Sequence, residues 1–360
     1  MGRAWQPVAK RSVQDWALRL TSNGILTPAN SDAILHCVTF NTSDAACLCV
    51  DHVTGVRHNY CYTYNSTTRG RPFNCLVLSP YARKLALFQS VDKNNDARHV
   101  QMNPPIVTGA DESHFDEMLA GISSAQQMFP KSRIIAYDLG LRSEHRTQLS
   151  QFCNVEVRSF DFHLWPTSVR NLYTYKWKPI IIALMVNEFP LGFWWTDSSI
   201  RWLSNRTQAT YEAIAKGHLS SIVLVDYTGH SVYSATNPGA YKYLPSDVRR
   251  LKDLVMLGAN FMFVLRTPDS MDVIKWLALC ALQDGCMDPP CSELRCDFAD
   301  DRWGRYAKCH RFDQSTLNIL LANRYGFNSD YYRTDNASHN QFGTVKRGDK
   351  GVVPVTCQKS

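Results

Sequence analysis

From Pro104 onward, hydrophobic positions come in short blocks separated by stretches with helical spacing. Residues 105–110 (PIVTGA) form an apolar run of strand length that ends in a turn. Residues 111–128 then place Phe115, Met118, Leu119 and Ile122 three and four apart, the period of one helix face. RIIAY (133–137) reads as a second strand closed by Asp138, 143–152 as a helix, and 155–162 as a third strand. Lys178-Pro179 opens a helix to about Glu188, with proline in the tolerated first turn. Residues 191–196 are a fourth strand, ending at Asp197, and 220–225 a fifth. This alternation predicts an α/β fold: a mostly parallel central sheet with helices on both faces. Right-handed crossovers put the carboxyl ends of such strands on one edge, outside which ligands bind. The positions that this edge would present are Thr108, Gly109, Asp111, Asp138, Asp197, Ser198, Ser199 and Arg201.

The first hundred residues break that pattern. They are polar, turn-rich and Cys-rich, and suggest a small disulfide-held, hairpin-like region (1–100) before the α/β domain (101–360), with the polar stretch 92–105 as linker. The chain has 12 cysteines. Five lie between Cys37 and Cys75, five between Cys280 and Cys309, and Cys153 and Cys357 stand apart. No pair has CxxC spacing, so the pattern reads as disulfides formed in an oxidising compartment. If all are bridged, each cluster of five must send an odd number of bonds outside itself. A zinc site made from Cys286, Cys291, Cys296, Cys309 and His310 is the alternative. Sequons at Asn41, Asn65, Asn205 and Asn336 agree with a secretory route, though their number is close to chance. The N-terminal stretch has no apolar signal core, and no apolar run is long enough to span a bilayer. Membrane attachment would therefore need an anchor absent from this sequence.

Charge narrows the function classes. The net charge is +7, with Lys and Arg scattered rather than striped. That balance can favour anionic substrates or be simply a solvated surface, and it gives no footprint for nucleic acid. The absence of GxGxxG, GxSxG, HExxH and P-loop patterns leaves dinucleotide enzymes, hydrolases, zinc proteases and kinases without motif support.

Five constellations can carry chemistry. FWWTDSSIR (193–201) stops an aromatic strand at an acid and two hydroxyls, where a carboxylate can hold a hard divalent cation, Mn2+ or Mg2+, against a diphosphate, or can be a turn former or helix cap. Asp138 can reach a ribose or serve as a turn acid. Lys178 sits with Lys176 at a helix start, suited to a phosphate, or else is part of a solvated lysine pair. Asp313, with Gln314 after it, begins an apolar helix and can be its cap or a general base for an acceptor hydroxyl. The tail segment 338–348, glycine-bearing and basic, reads as a loop over a phosphate or a frayed end.

Seven blocks in order carry a resemblance: PPIVTGADESHF, RIIAYDLGL, CNVEVRSF, YKWKP, FWWTDSSIRW, SATNPGAYKYL and YAKCHRFDQSTLNILLANRYG. Together they resemble a metazoan family of unknown function, expanded in nematodes, over roughly residues 104 to 330. That family is similar to GT-A nucleotide-diphospho-sugar glycosyltransferases. The resemblance implies a GT-A-like fold and a lumenal enzyme of the Golgi or endoplasmic reticulum, or a secreted one. Such an enzyme moves a sugar from a nucleotide-diphospho-sugar donor to a glycan or glycoprotein acceptor, often with Mn2+. Asp197-Ser198-Ser199 then stands where GT-A enzymes carry Asp-x-Asp, Lys178 lies near the nucleotide phosphates, and Asp313-Gln314 matches an acceptor-side motif. Ser199 departs from the pattern. A metal on Asp197 would need a second protein ligand, which His339 could supply; the alternatives are metal-independent catalysis or lost activity. The rival expectation is a non-catalytic carbohydrate-binding or adhesion protein on a degenerate transferase fold.

Overall fold

The computed structural model describes residues 47–91, 99–334, 342–351 and 354–355. They form two compact units, each discontinuous in sequence. The first comprises the described residues through Pro80, with Gly229–Met256 and Leu279–Phe327; the second comprises Tyr81–Thr228, Leu257–Ala278 and the described residues after Asn328.

The first unit begins with the expected hairpin, β1 (Leu48–Val50) paired antiparallel with β2 (Arg57–Asn59). It is stapled by Cys47–Cys61 and by Cys49–Cys75, the latter at the start of α1 (Cys75–Lys84). These bridges restrict the unfolded chain where there is little apolar sequence to build a core. Arg71 donates its N–H to the Lys242 carbonyl at 2.7 Å, and Gly70 approaches Tyr243 so closely that no Cβ would fit. Cys280–Cys286 and Cys296–Cys309 close two further local loops. Cys291 is also disulfide-bonded, and since the other cysteines of 280–309 are taken, its bond leaves the cluster, as the odd count requires. The zinc alternative is thereby overturned. Cys286, Cys291, Cys296 and Cys309 are all in disulfides, and His310 is fully buried, accepting from the Asn237 N–H and bonded to the Met287 carbonyl.

In the second unit a six-stranded sheet runs β5-β4-β3-β6-β11-β8. Its members are β3 (Ile106–Ala110), β4 (Ile134–Asp138), β5 (Val155–Ser159), β6 (Phe193–Thr196), β8 (Ile222–Leu224) and β11 (Phe261–Val264). β5, β4, β3 and β6 are mutually parallel. β11 is antiparallel to both of its neighbours, so β8 runs with the other four. The predicted fifth strand, β8, therefore lies at the far edge, separated from β6 by a strand that arrives later in the chain.

Alternation within the strands builds two faces. Ile106, Ala110, Ile134, Ala136, Trp194, Val223, Phe261 and Phe263 share one apolar cluster with Met118, Leu119 and Ile122 of α2 (Phe115–Met128). The intervening residues point the other way. There Tyr137 donates its hydroxyl to Met185 Sδ, and Trp195 lies 6.0 Å from Trp177, both partners belonging to α4 (Trp177–Glu188). α4 is buried nearly all round, as its unbroken apolar run dictates. The short α3 (Ser143–Ser150) connects β4 to β5.

After β6 comes β7 (Ile200–Trp202), which pairs antiparallel with β12 (Gly343–Val345). The described part of the tail is thus a paired strand, which corrects the frayed-end reading; 338–341 lie outside the described residues. Among the described residues no helix is long and apolar enough to cross a membrane.

Candidate functional site at the carboxyl edge of the sheet

The chain lays down β3, β4 and β5 in one direction, then returns to place β6 on the other side of β3. The crevice between the carboxyl ends of β3 and β6 is therefore the topological switch point, where open α/β sheets bind ligands. Asp111 follows β3, Asp197 follows β6, and the first turn of α4 abuts the latter.

Asp197 is fixed from three sides. Lys178 Nζ lies 2.9 Å from its Oδ1 and 3.2 Å from Oδ2, and the Trp195 indole N–H donates to Oδ1 at 2.8 Å. Its own backbone N–H donates to the Asn260 carbonyl at 2.7 Å. The Lys178 side chain is 3% exposed and that of Asp197 26%. The ammonium also faces three rings, with centroids at 5.3 Å (Tyr175), 5.7 Å (Trp195) and 6.0 Å (Trp177). Tyr175 holds its ring there from a left-handed backbone, φ 54°, a conformation uncommon for a bulky residue. Lys176 is likewise buried and reaches Ser168 Oγ at 3.2 Å, so the solvated-pair reading of the two lysines is overturned.

The neighbouring candidates have structural work of their own. Ser198 donates to Glu117 Oε2 at 3.3 Å, and Glu117 Oε1 accepts the Gly348 N–H. Ser199 offers its carbonyl to the Lys346 N–H at 2.7 Å. Arg201 is buried and donates to the Ser198 carbonyl at 2.7 Å and to Asp349 Oδ2 at 3.2 Å. Burial depresses the Arg201 pKa, and Asp349 counters it. Arg201 thus clamps residues 343–349 against the strand end.

At β3, Thr108 is buried, and Gly109 fits because a Cβ would sit 3.3 Å from that of Tyr137. Asp111 binds Ser113 and His114 through Oδ1, at 2.8 and 2.7 Å. Partial burial works against its charge, but these hydrogen bonds prevail and hold its pKa below the usual carboxylate value. Asp138 accepts from the Gly140 and Leu141 N–H groups at 2.8 and 2.7 Å and pairs with Arg146 at 3.2 Å, the arrangement of a turn acid.

Asp313 and Gln314 belong to the first unit. Asp313 is not the cap of its helix, α8 (Phe312–Arg324). Arg311 occupies that position, Phe312 enters at φ 39°, and Asp313 is buried in the first turn. His339 lies outside the described residues.

Sequence reasoning missed two residues at this edge. Asp226, just past β8, accepts the Asn260 side-chain amide at 2.9 Å and, through its carbonyl, the Gly258 N–H at 2.9 Å. Asn260 leads into β11, and its Oδ1 is buried without a hydrogen-bond partner among the described residues. The strand-end rule that selected Asp138 and Asp197 also selects Asp226, if applied to the fifth strand. Asn260 had no such signal, because nothing in the sequence shows that β11 enters between β6 and β8.

A divalent cation does not fit the described residues here. Asp197 already contacts an ammonium through both oxygens, the third motif position is Ser199, and no group of three or more His, Cys, Asp or Glu side chains gathers among the described residues.

Residues 47–183 match the model of a family described as a protein of unknown function (DUF1647). No curated protein matches the chain. Among solved structures it is similar to the apo structure of the WbbM bifunctional glycosyltransferase, at 12% identity and TM-score 0.36, over 65% of this chain and 39% of that one. It is also similar to the galactosyltransferase LgtC in complex with donor and acceptor sugar analogues, at 12% and 0.34, over 70% and 85%. A third is the glycosyltransferase GlyE of Streptococcus pneumoniae TIGR4, at 11% and 0.35, over 66% and 46%. This chain thus spans under half the length of WbbM and of GlyE.

Proposed function

We propose that this chain is a glycosyltransferase of the secretory pathway, moving a sugar from a nucleotide-diphospho-sugar to a glycan or glycoprotein acceptor. The observation that carries this is the switch point between β3 and β6, with a fixed, partly exposed carboxylate at its lip. The motif resemblance over residues 104 to 330 supports the substrate class, and the disulfides support the compartment.

In this reading Asp197 accepts hydrogen bonds from donor hydroxyls through the part of its carboxylate that reaches solvent. Lys178 and Trp195 hold it so that it binds without reorganising. Lys346 and Arg347, exposed beside Ser199, supply positive charge for the departing diphosphate. Thr108, Gly109 and Asp111 form the opposite lip, Asp138 braces the next turn, and Ser198, Ser199 and Arg201 shape the floor. The test is Asp197→Ala in assays of nucleotide-sugar hydrolysis and transfer. At least a tenfold loss is expected, about 1.4 kcal/mol of transition-state stabilisation; unchanged rates remove Asp197 from the site.

Ser199 favours a second reading, a carbohydrate-binding protein without transfer. Calorimetry with UDP and GDP separates the two: no binding at millimolar nucleotide supports the second.

A further inference from the structure

We infer that the Lys178 ammonium is the resident cation of the Asp197 strand end, so that this site works without a divalent metal ion. Where it concerns nucleotide binding, the inference rests on the reading given above. The ammonium is built in rather than draped across the surface: it is nearly fully buried, within 3.2 Å of both Asp197 oxygens and 3.5 Å from the Ala259 carbonyl, and three rings turn toward it. A divalent ion coordinated by Asp197 would sit roughly 2.0–2.6 Å from the same oxygens. It would then face a like charge at close range, with little water to screen the repulsion. The Trp195 N–H takes a further lone pair of Oδ1 at 2.8 Å. Placing a metal here requires Lys178 to leave its cage, and leaving would strand the ammonium in apolar surroundings. The same pairing makes sense of Ser199. A second carboxylate at position 199 would add negative charge beside a diphosphate, whereas the Lys178 ammonium offsets the single charge of Asp197.

Two measurements on the intact protein test this. The first is a Mn2+ titration followed by the resonance of the free ion, without nucleotide, comparing the natural protein with Asp197→Asn. Coincident isotherms are expected. A Mn2+ site that Asp197→Asn weakens by about tenfold or more overturns the inference. The second is calorimetry of UDP, GDP and ADP binding, in EDTA and in excess Mn2+. Affinities that agree within about threefold support the inference, and a loss of about tenfold or more in EDTA overturns it. If no nucleotide binds under either condition while the Mn2+ isotherms coincide, the nucleotide reading fails and the metal-free assignment of Asp197 stands.

Discussion

The indole N–H of Trp195 and the ammonium of Lys178 meet on one atom, Asp197 Oδ1, at 2.8 and 2.9 Å. The carboxylate is therefore held by its own strand and by the helix packed beneath it. Breaking a fully buried ion pair from one side costs about 3–5 kcal/mol. Asp197 is a quarter exposed, which reduces the cost, so Lys178→Met is expected to destabilise the protein by about 1–3 kcal/mol. The Lys178→Met/Asp197→Asn double variant is expected to lose less than the sum of the two singles. Urea denaturation of all four proteins reads the coupling directly.

The turn before β11 predicts a steric effect. A Cβ on Gly258 would run into Asn260 Oδ1 and lie 3.1 Å from the Asp226 Cβ. Gly258→Ala should displace Asn260, whose carbonyl takes the Asp197 N–H, and so disturb the site without removing a charged group. A loss of about 1–3 kcal/mol in stability is expected, the range for overpacking, together with weaker nucleotide binding. Asp226→Asn tests the same corner while preserving its volume. Wild-type affinity in both variants would remove this corner from the site.

The two exposed cations after β12 predict a salt effect. Lys346 and Arg347 are exposed beside Ser199, so Lys346→Ala/Arg347→Ala should fold normally. Nucleoside diphosphate affinity should fall about fivefold to thirtyfold, the range for losing one or two exposed charge-assisted contacts. The natural protein should lose affinity as ionic strength rises, and the double variant should lose less.

Two buried histidines predict the acid side of the stability curve. Burial pushes the His310 pKa down to about 3, against the hydrogen bond to Met287, and the His230 pKa down to about 4, with Arg311 and Arg302 adding to the effect. Both values are depressed on folding, so the unfolded chain binds more protons below its ordinary histidine pKa of about 6.5. Stability is therefore complete above about pH 6.5 and falls as the pH drops toward the folded values. At pH 5 the His310 contribution alone is about 2 kcal/mol lost. Denaturation midpoints at pH 7 and pH 5 measure it, and His310→Gln should flatten the slope between them.

Much of the sheet was legible because each parallel strand is an apolar block with covered faces, and each ends at a polar turn. RIIAY, FWWT and the run ending at Val225 needed no long-range information. The antiparallel β11 and the β7–β12 pair were not legible. FMFV is an apolar run like the others, and its direction depends on contacts with β6 and β8 that no local spacing encodes. The same limit applied at the site. Asp197 stood out as an acid at a strand end, and Lys178 as a cation at a helix start. Their pairing is tertiary: 19 residues separate them in sequence, and only the packing of α4 under β6 joins them. Buried lysines with carboxylate partners look like surface lysines until the fold is known, because the hydrophobic run around Lys178 begins after it.

The β12 pairing also sets an order on synthesis. Ser199 and Arg201 bond to Lys346 and Asp349, nearly 150 positions later in the chain. A nascent chain can finish the parallel strands early, but the flank of its acidic strand end stays an open edge until residues 343–349 have emerged. During that interval β7 can pair with a foreign strand. Folding helpers that shield this edge would act on a chain whose strand-end carboxylate is present but whose floor is not yet closed.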